Sequence, residues 1–226
     1  MTTSPTKPAE PESRVGIADT LKSGTWDLHQ TAENGHFQKR LVKGELGRGE
    51  YAALLAQLLV VHRALEASIE HAGRHCERVR SLNEDQPTHS PRLEQDLSTL
   101  GVEPATVRPV SAAEDFASWL NATAHKNPTA VIGPQYVLEG STNGNRFIAR
   151  AIGPALGLEG DGLRYLESYG DEQRECWGRF RSRLDRLDLD ADALDGIVAA
   201  ARRTFEGIHA INTQLLDQLS GRTPSA

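Results

Sequence analysis

The sequence has few of the features that stabilise an extracellular or membrane-bound protein. Its 226 residues include only two cysteines, Cys76 and Cys176. Two cysteines so far apart give no disulfide framework, so we expect both to be reduced. The N-terminus has no signal-like apolar segment, and no apolar run reaches the length needed to span a membrane. These features predict a cytoplasmic protein with no membrane partner.

A basic surface and sheet-forming segments are also missing. The formal net charge is −6, which argues against nucleic-acid binding because phosphate recognition needs a positive surface. Aromatic residues make up only 5% of the chain, and no run of alternating Val, Ile or Thr is long enough to begin a sheet. Ala, Leu, Glu and Arg are frequent and favour helix. The sequence therefore predicts an all-α fold.

Periodicity and breaker residues predict one helical domain, residues 14–219, between a disordered Pro-rich tail at 1–13 and a short tail at 220–226. The predicted helices cover residues 15–34, 36–43, about 51–73, 90–100, 111–125, 163–169, 171–189 and 191–219. The polar stretch 71–80 is interpreted as a solvated helix end. His62 lies on the strongest apolar stripe, from Tyr51 to Ile69, where a histidine is more often a satisfied core residue than a ligand.

The stretch Thr25–Asn34 carries a histidine on an otherwise amphipathic helix. His29 lies at the edge of the apolar stripe, and Glu33, one turn later, can accept a hydrogen bond from its second ring nitrogen. Lys22 projects from the same face about 10 Å along the axis. A cation, an imidazole and a carboxylate in this order suit a flat ligand with a central metal and an anionic edge, and haem fits that description. A histidine at a helix edge is, however, more often structural than a ligand.

The segment Gly133–Arg150 is the second informative one. Apolar residues on both sides fit a long helix, but glycines at 140 and 144 each cost about 1 kcal/mol against alanine in a helix interior. One interpretation is a loop between two helices, since Asn143-Gly144 is a turn dipeptide. The other is a bent helix whose glycines share one face, so that its backbone can approach a flat ligand closely. The sequence favours neither.

These two segments, in this order, resemble one family. The residues Leu28-His29-x-x-Ala32-Glu33-Asn34 resemble the proximal helix of the biliverdin-producing haem (heme) oxygenases. The residues Tyr136-Val137-Leu138-Glu139-Gly140-Ser141-x-x-Gly144 resemble the distal helix of the bacterial type. Weaker similarity at 181–183 and 205–216 falls where that family has its closing helices, so the resemblance covers about residues 15–219.

The resemblance implies a compact multi-helix bundle that holds haem b between proximal and distal helices, with haem as both cofactor and substrate. It implies that His29 is the axial iron ligand and that Glu33 is hydrogen-bonded behind it. Gly140, Ser141 and Gly144 would form the distal catalytic segment, where an ordered-water network is held by backbone groups. The positions that bind the haem propionates in the family correspond to Lys22, Tyr136 and Arg181.

The reaction implied by the resemblance is the O2-dependent opening of haem to biliverdin, CO and Fe2+. Electrons would come from a ferredoxin- or flavin-type reductase, because the chain has no nucleotide-binding glycine motif. The implied enzyme acts as a monomer, and a bilin-binding photoreceptor is a candidate consumer of its product. Asn143 and Asn145 depart from the family pattern and keep open a non-catalytic haem-binding or haem-sensing protein on the same fold. A relative that acts on thiamine-like molecules is a third alternative.

Overall fold

The computed structural model describes residues 16–221, and within these residues all regular structure is helical. The prediction of an all-α fold is therefore confirmed. The tail predicted at 1–13 lies outside the described residues. The helices are α1 (Ile17–Asn34), α2 (His36–Val42), α3 (Arg48–Gly73), α4 (Glu77–Asn83), α5 (Ser90–Thr99), α6 (Ser111–Lys126), α7 (Ile132–Leu156), α8 (Gln173–Leu184) and α9 (Ala191–Leu219).

The long helix α3 forms the centre of the core. Tyr51, Leu55 and Leu59 are fully buried at helical spacing, and burying each such side chain contributes about 1.5–3 kcal/mol relative to leaving it exposed. Its neighbours in the core include α5 and α6. His62 is buried on this stripe and lies 3.0 Å from the Tyr165 hydroxyl, so its interpretation as a satisfied core residue is confirmed.

By length and composition, α3 is also apolar enough to cross a membrane, which differs from the expectation drawn from the sequence. Half of its most apolar 18-residue stretch is buried inside the protein. Because a central core helix needs the same apolar composition, packing of α3 within the bundle accounts for this hydropathy.

Several details of the helix prediction are wrong. Residues 163–169 form turns rather than a helix, and the Asp96 carboxylate accepts hydrogen bonds from the backbone N–H groups of Arg164 and Tyr165. The helix predicted at 171–189 begins at Gln173 and ends at Leu184. The basic stretch after α3 contains a separate helix, α4, which buries Val79 and Leu82. Leu219, predicted to be buried, is 41% exposed because α9 ends there, beyond its packing partners.

The segment with the two glycines forms one continuous helix, α7. Three polar side chains in its middle bond to their own helix, because the side chains of Ser141, Thr142 and Asn143 each donate to the carbonyl three residues earlier, at 2.6–2.9 Å. These bonds satisfy the three polar side chains within the helix, which continues through both glycines. The helical interpretation is therefore correct and the loop interpretation is wrong.

Glycine at position 133 permits the closest approach in the fold. A Cβ built on Gly133 would lie 2.3 Å from the carbonyl oxygen of Ile197 and 2.7 Å from the backbone nitrogen of Ala201. Because these are backbone atoms of α9, no side-chain rotation can relieve the contact. The approach fixes where α7, and with it the distal segment, lies relative to α9.

We expect Gly133→Ala to lower the free energy of unfolding by about 1–3 kcal/mol or more, because overpacking forces the two helices apart. Gly178→Ala is the matched control, since its added Cβ meets nothing within 4 Å and alanine is favoured in a helix by about 0.5–1 kcal/mol. Urea unfolding followed by circular dichroism measures both changes. Equal stability of the two variants would contradict the proposed backbone contact.

Candidate active site

His29 is an accessible histidine with aromatic neighbours. Its side chain is 46% exposed, and the ring stacks on Trp26 with 5.5 Å between centroids. The Phe205 ring of α9 meets it edge-on at 6.0 Å. The imidazole is therefore held between two aromatic rings while keeping access to a ligand.

Glu33 lies on one side of this imidazole. Its Oε1 is 3.6 Å from His29 Nδ1, which is within ion-pair reach but longer than a hydrogen bond, so the hydrogen bond expected from the sequence is not formed here. A carboxylate on the Nδ1 side leaves Nε2 as the ring nitrogen that could bind a ligand. Among residues 16–221, no three His, Cys, Asp or Glu side chains are grouped as a metal site. A single imidazole is nevertheless sufficient for iron that already has four porphyrin nitrogens.

The helix that carries His29 is fixed to α9 by a bidentate ion pair. The two terminal guanidinium nitrogens of Arg202 donate to the Asp27 carboxylate, at 2.7 and 2.8 Å, and one also donates to the carbonyl of Gly24. The Arg202 hydrogen bond lowers the pKa of Asp27 to about 2. The start of α1 is held in turn by Asp185, whose carboxylate accepts the backbone N–H of Ala18 at 2.8 Å.

The distal glycines expose one face of α7. A Cβ at Gly144 would meet nothing within 4 Å, and a Cβ at Gly140 would lie 3.3 Å from the Trp177 indole. Ser141, between them, is exposed, and its hydroxyl donates to the Leu138 carbonyl at 2.7 Å. This face, defined by Gly140, Ser141 and Gly144, is called the glycine face below. It lets a planar molecule lie close to the helix backbone.

Tyr136 connects the proximal and distal helices directly. Its hydroxyl donates to the carbonyl of Ala18 at 3.3 Å, and burial raises the pKa of this phenol, so it remains a donor at neutral pH. Its ring packs against Trp177 with 5.6 Å between centroids, and Trp177 in turn stacks on Phe180. These aromatic contacts hold α7, α8 and the start of α1 together.

The basic residues expected at the anionic edge lie near this junction. Arg181 donates to the Asp19 carboxylate at 2.7 Å, and Lys22 is exposed on the same helix as Asp19. Ion pairs this exposed contribute about 0–1 kcal/mol, so Arg181 can exchange its partner for another carboxylate at little cost. The structure therefore places Tyr136 and Arg181 beside the first turns of α1, where Lys22 also lies.

The two asparagines that depart from the family pattern are both directed into the protein. The Asn143 amide donates to the Gly140 carbonyl at 2.9 Å, and its oxygen accepts from Gln173 at 3.4 Å. Asn145 is buried, and its Nδ2 has no hydrogen-bond partner. Neither side chain therefore adds an exposed amide to the glycine face.

Three aromatic residues at the site did not stand out in the sequence as site residues. Trp26 is three residues before His29, a helical spacing that could have indicated their contact. Trp177 and Phe205 lie on α8 and α9, far from the two motifs in sequence. They reach the site only through helix packing, so no local pattern identifies them.

Comparison with known proteins first defines the class of fold. The structure superimposes on haem-complexed heme oxygenase-1 from the cyanobacterium Synechocystis with a TM-score of 0.84, 22% identity and coverage of 92% of this chain and 95% of that one. The heme oxygenase from Leptospira interrogans gives 0.81 at 22% identity, covering 88% and 100%. A putative TenA-like thiaminase from Sulfolobus solfataricus gives only 0.63 at 12% identity, covering 90% and 97%. The chain thus has the heme oxygenase fold.

The family follows from the sequence comparison. The model of the family described as Heme oxygenase matches residues 15–216. Heme oxygenase 1 from Nostoc is 27% identical over 213 residues, 91% of this chain and 86% of that protein. The chain belongs to the heme oxygenase family, and its enzyme class is heme oxygenase.

We expect Arg202→Met to raise the pKa of Asp27 from about 2 toward its ordinary value of 3.8, because the carboxylate loses its charged donor. A carboxyl group with a lowered folded-state pKa stabilises the fold above about pH 4, and this contribution disappears as the pH falls to about 2. NMR titration of the Asp27 carboxyl carbon measures the change. Arg203→Met is the control, because Arg203 lies over the Trp119 ring instead. An unaltered Asp27 titration in Arg202→Met would refute the assignment.

Proposed function

We propose that this heme oxygenase binds haem b between α1 and the glycine face of α7, with His29 as the axial iron ligand. The observation that carries the proposal is the accessible imidazole between two aromatic rings, with the Glu33 carboxylate on its Nδ1 side. A neutral imidazole ligand leaves the opposite side of haem iron open to O2. His29 on a helix fixed by Arg202 gives the ring a defined direction.

The propionates of the haem are proposed to meet Lys22, Tyr136 and Arg181. Arg181 already holds a carboxylate, that of Asp19, and an arginine can bind a propionate with the same geometry. The raised pKa of Tyr136 keeps its hydroxyl available as a donor. This arrangement orients the anionic edge of the haem toward the junction of α1, α7 and α8.

The glycine face is proposed to limit which edge of the haem macrocycle O2 can reach. Because Gly140 and Gly144 carry no side chains, the α7 backbone can lie near the plane of the haem and restrict access to its edge. Ser141 supplies an exposed hydroxyl at this face. The protein thereby contributes orientation, hydrogen bonding and exclusion of water, and haem supplies the chemistry of O2 activation.

The products proposed are biliverdin, CO and Fe2+, with electrons from an external ferredoxin- or flavin-type reductase. We further propose that the protein acts as a cytoplasmic monomer. The exposed large apolar residues of the described chain, Trp26, Val42, Phe147 and Leu219, occur on four different helices, and Trp26 belongs to the site. Biliverdin is also the kind of pigment that a bilin-binding photoreceptor takes up.

The first experiment is an absorbance time course of the haem-loaded protein in air with ascorbate or ferredoxin and its reductase. Decay of the Soret band with growth of a broad red bilin absorption is the expected result. A stable Soret band would indicate a haem-binding or haem-sensing protein instead. Failure to form any Soret complex would overturn haem binding altogether.

We expect His29→Ala to abolish axial ligation and reduce turnover by at least about 100-fold, because the iron loses its protein ligand. The fold should be unchanged, since the His29 side chain is half exposed. Ferric and ferrous–CO spectra measure ligation, and added imidazole should restore part of it. His36→Ala, an exposed histidine of α2, is the control and should behave as the parent protein. Unchanged spectra in His29→Ala would exclude His29 as the ligand.

A further inference from the structure

A cleft rich in arginine lies beside α8, between this helix, the loop after α4 and the turns that precede α8. Its volume is about 370 Å³, within the range of about 300–1,000 Å³ that small-molecule sites occupy. None of the haem-site residues named above lines it. The side chains that matter for its chemistry are those of Gln86, Tyr169, Cys176, Arg179, Arg183 and Arg186.

The three arginines reach the cleft from one side of α8. Arg179 and Arg183 are one helical turn apart, and Arg186 follows in a turn in which its backbone N–H donates to the Arg183 carbonyl at 3.2 Å. Arg181, proposed above for the haem propionates, is two residues from Arg183 and therefore about 200° away around the helix. The cleft and the haem site thus use different sides of α8.

The arginines of the cleft are not balanced by carboxylates. Arg179 pairs with Glu175, whereas within residues 16–221 neither Arg183 nor Arg186 forms an ion pair. The lining, all of which belongs to the described part of the chain, contains one carboxylate, that of the exposed Asp85. The cleft is therefore locally positive in a chain whose formal net charge is −6.

Arg183 is held at the wall of the cleft, but its donors are not all satisfied. One terminal nitrogen donates to Gln86 Oε1 at 3.2 Å, and Gln86 in turn donates to the Tyr169 hydroxyl at 3.1 Å. The Arg183 Nε–H is buried and has no acceptor among the described residues. A buried charged donor without a partner costs free energy, and the favourable effect of a cation near the C-terminus of α8 supplies no such acceptor. This guanidinium is positioned for an acceptor that the described residues do not provide.

The remaining polar groups add no negative charge to the cleft. Arg179 donates to the Cys176 sulfur at 3.1 Å, but burial raises the pKa of this thiol against the opposing effect of Arg179, so the thiol keeps its proton at neutral pH. Burial likewise raises the pKa of the Tyr169 phenol. Ser182 is an exposed lining residue whose hydroxyl can donate. Positive charge and neutral donors together favour an oxyanion as the ligand.

We propose that this cleft binds a small phosphate ester, with Arg183 and Arg186 as its charged contacts and the Ser182 hydroxyl as a further donor. A phosphate group has three acceptor oxygens and a charge of about −1.5 to −2 at pH 7, so it can accept from several arginines at once. A carboxylate is already satisfied by one bidentate arginine. The cleft is larger than a single phosphate group requires, which favours an organic phosphate over the free ion.

The test is isothermal titration calorimetry of the haem-free protein with ribose 5-phosphate, inorganic phosphate and ribose as separate probes. We expect Arg183→Gln and Arg186→Gln each to weaken ribose 5-phosphate binding by about tenfold or more, because a charged donor is lost. Arg174→Gln is the matched control, since Arg174 is exposed on the same helix and does not line the cleft. It should stay within about twofold of the parent, because salt screens distant charges. Asp85→Asn should bind more tightly, because it removes the one carboxylate of the lining.

Circular dichroism checks the fold of every variant. Tighter binding of ribose 5-phosphate than of inorganic phosphate, with no binding of ribose, would support the proposal. Equal binding of both phosphates would overturn the assignment to an ester and indicate a site for free phosphate. Equal weakening by Arg174→Gln would show general charge attraction and overturn the site, as would parent-like binding in Arg183→Gln and Arg186→Gln or the absence of saturable binding of either phosphate. Because haem is absent and no turnover is measured, these outcomes do not depend on the proposed haem chemistry.

Discussion

The backbone contact between α7 and α9 at Gly133 is the constraint on which the site depends. Interhelical approach this close is possible only where a Cβ is absent, since the nearest atoms belong to the backbone of Ile197 and Ala201. The first eight residues of α7 are all buried, so this half of the helix is fixed on every side. The second half can then expose the glycine face without losing its position.

The proximal helix is held by different forces. It is anchored to α9 by the bidentate Arg202–Asp27 pair and to the end of α8 through Asp185. Charge-assisted hydrogen bonds of this kind give direction as well as free energy. Because α9 also carries Phe205, the same helix both orients α1 and contributes a ring to the surroundings of His29. Proximal and distal parts thus share α9 as their common support.

The distal helix α7 presents different residues to its two sides. Gly140, Ser141 and Gly144 form the glycine face, whereas Glu139 is buried. Glu139 precedes Ser141 by two residues, about 200° around a helix, so the two side chains point to opposite sides. Asn145 lies only about 40° from Ser141 around the helix, so its burial reflects local packing rather than an opposite direction.

Local chemistry in the sequence determined the helical class, the bounds of the long helices, and the two segments at 25–34 and 133–150, because periodicity and the His29–Glu33 spacing are properties of a single helix. It left open whether Gly140–Gly144 was helical, and it missed α4 and the turns at 163–169. The side chains that α4 buries, and the hydrogen bonds from the backbone of Arg164 and Tyr165 to Asp96, join segments far apart in the sequence. Only the tertiary structure brought Trp177 to Gly140 and gathered His62, His89 and Glu139 in one cluster. Such contacts join residues far apart in sequence, and packing rather than local pattern decides them.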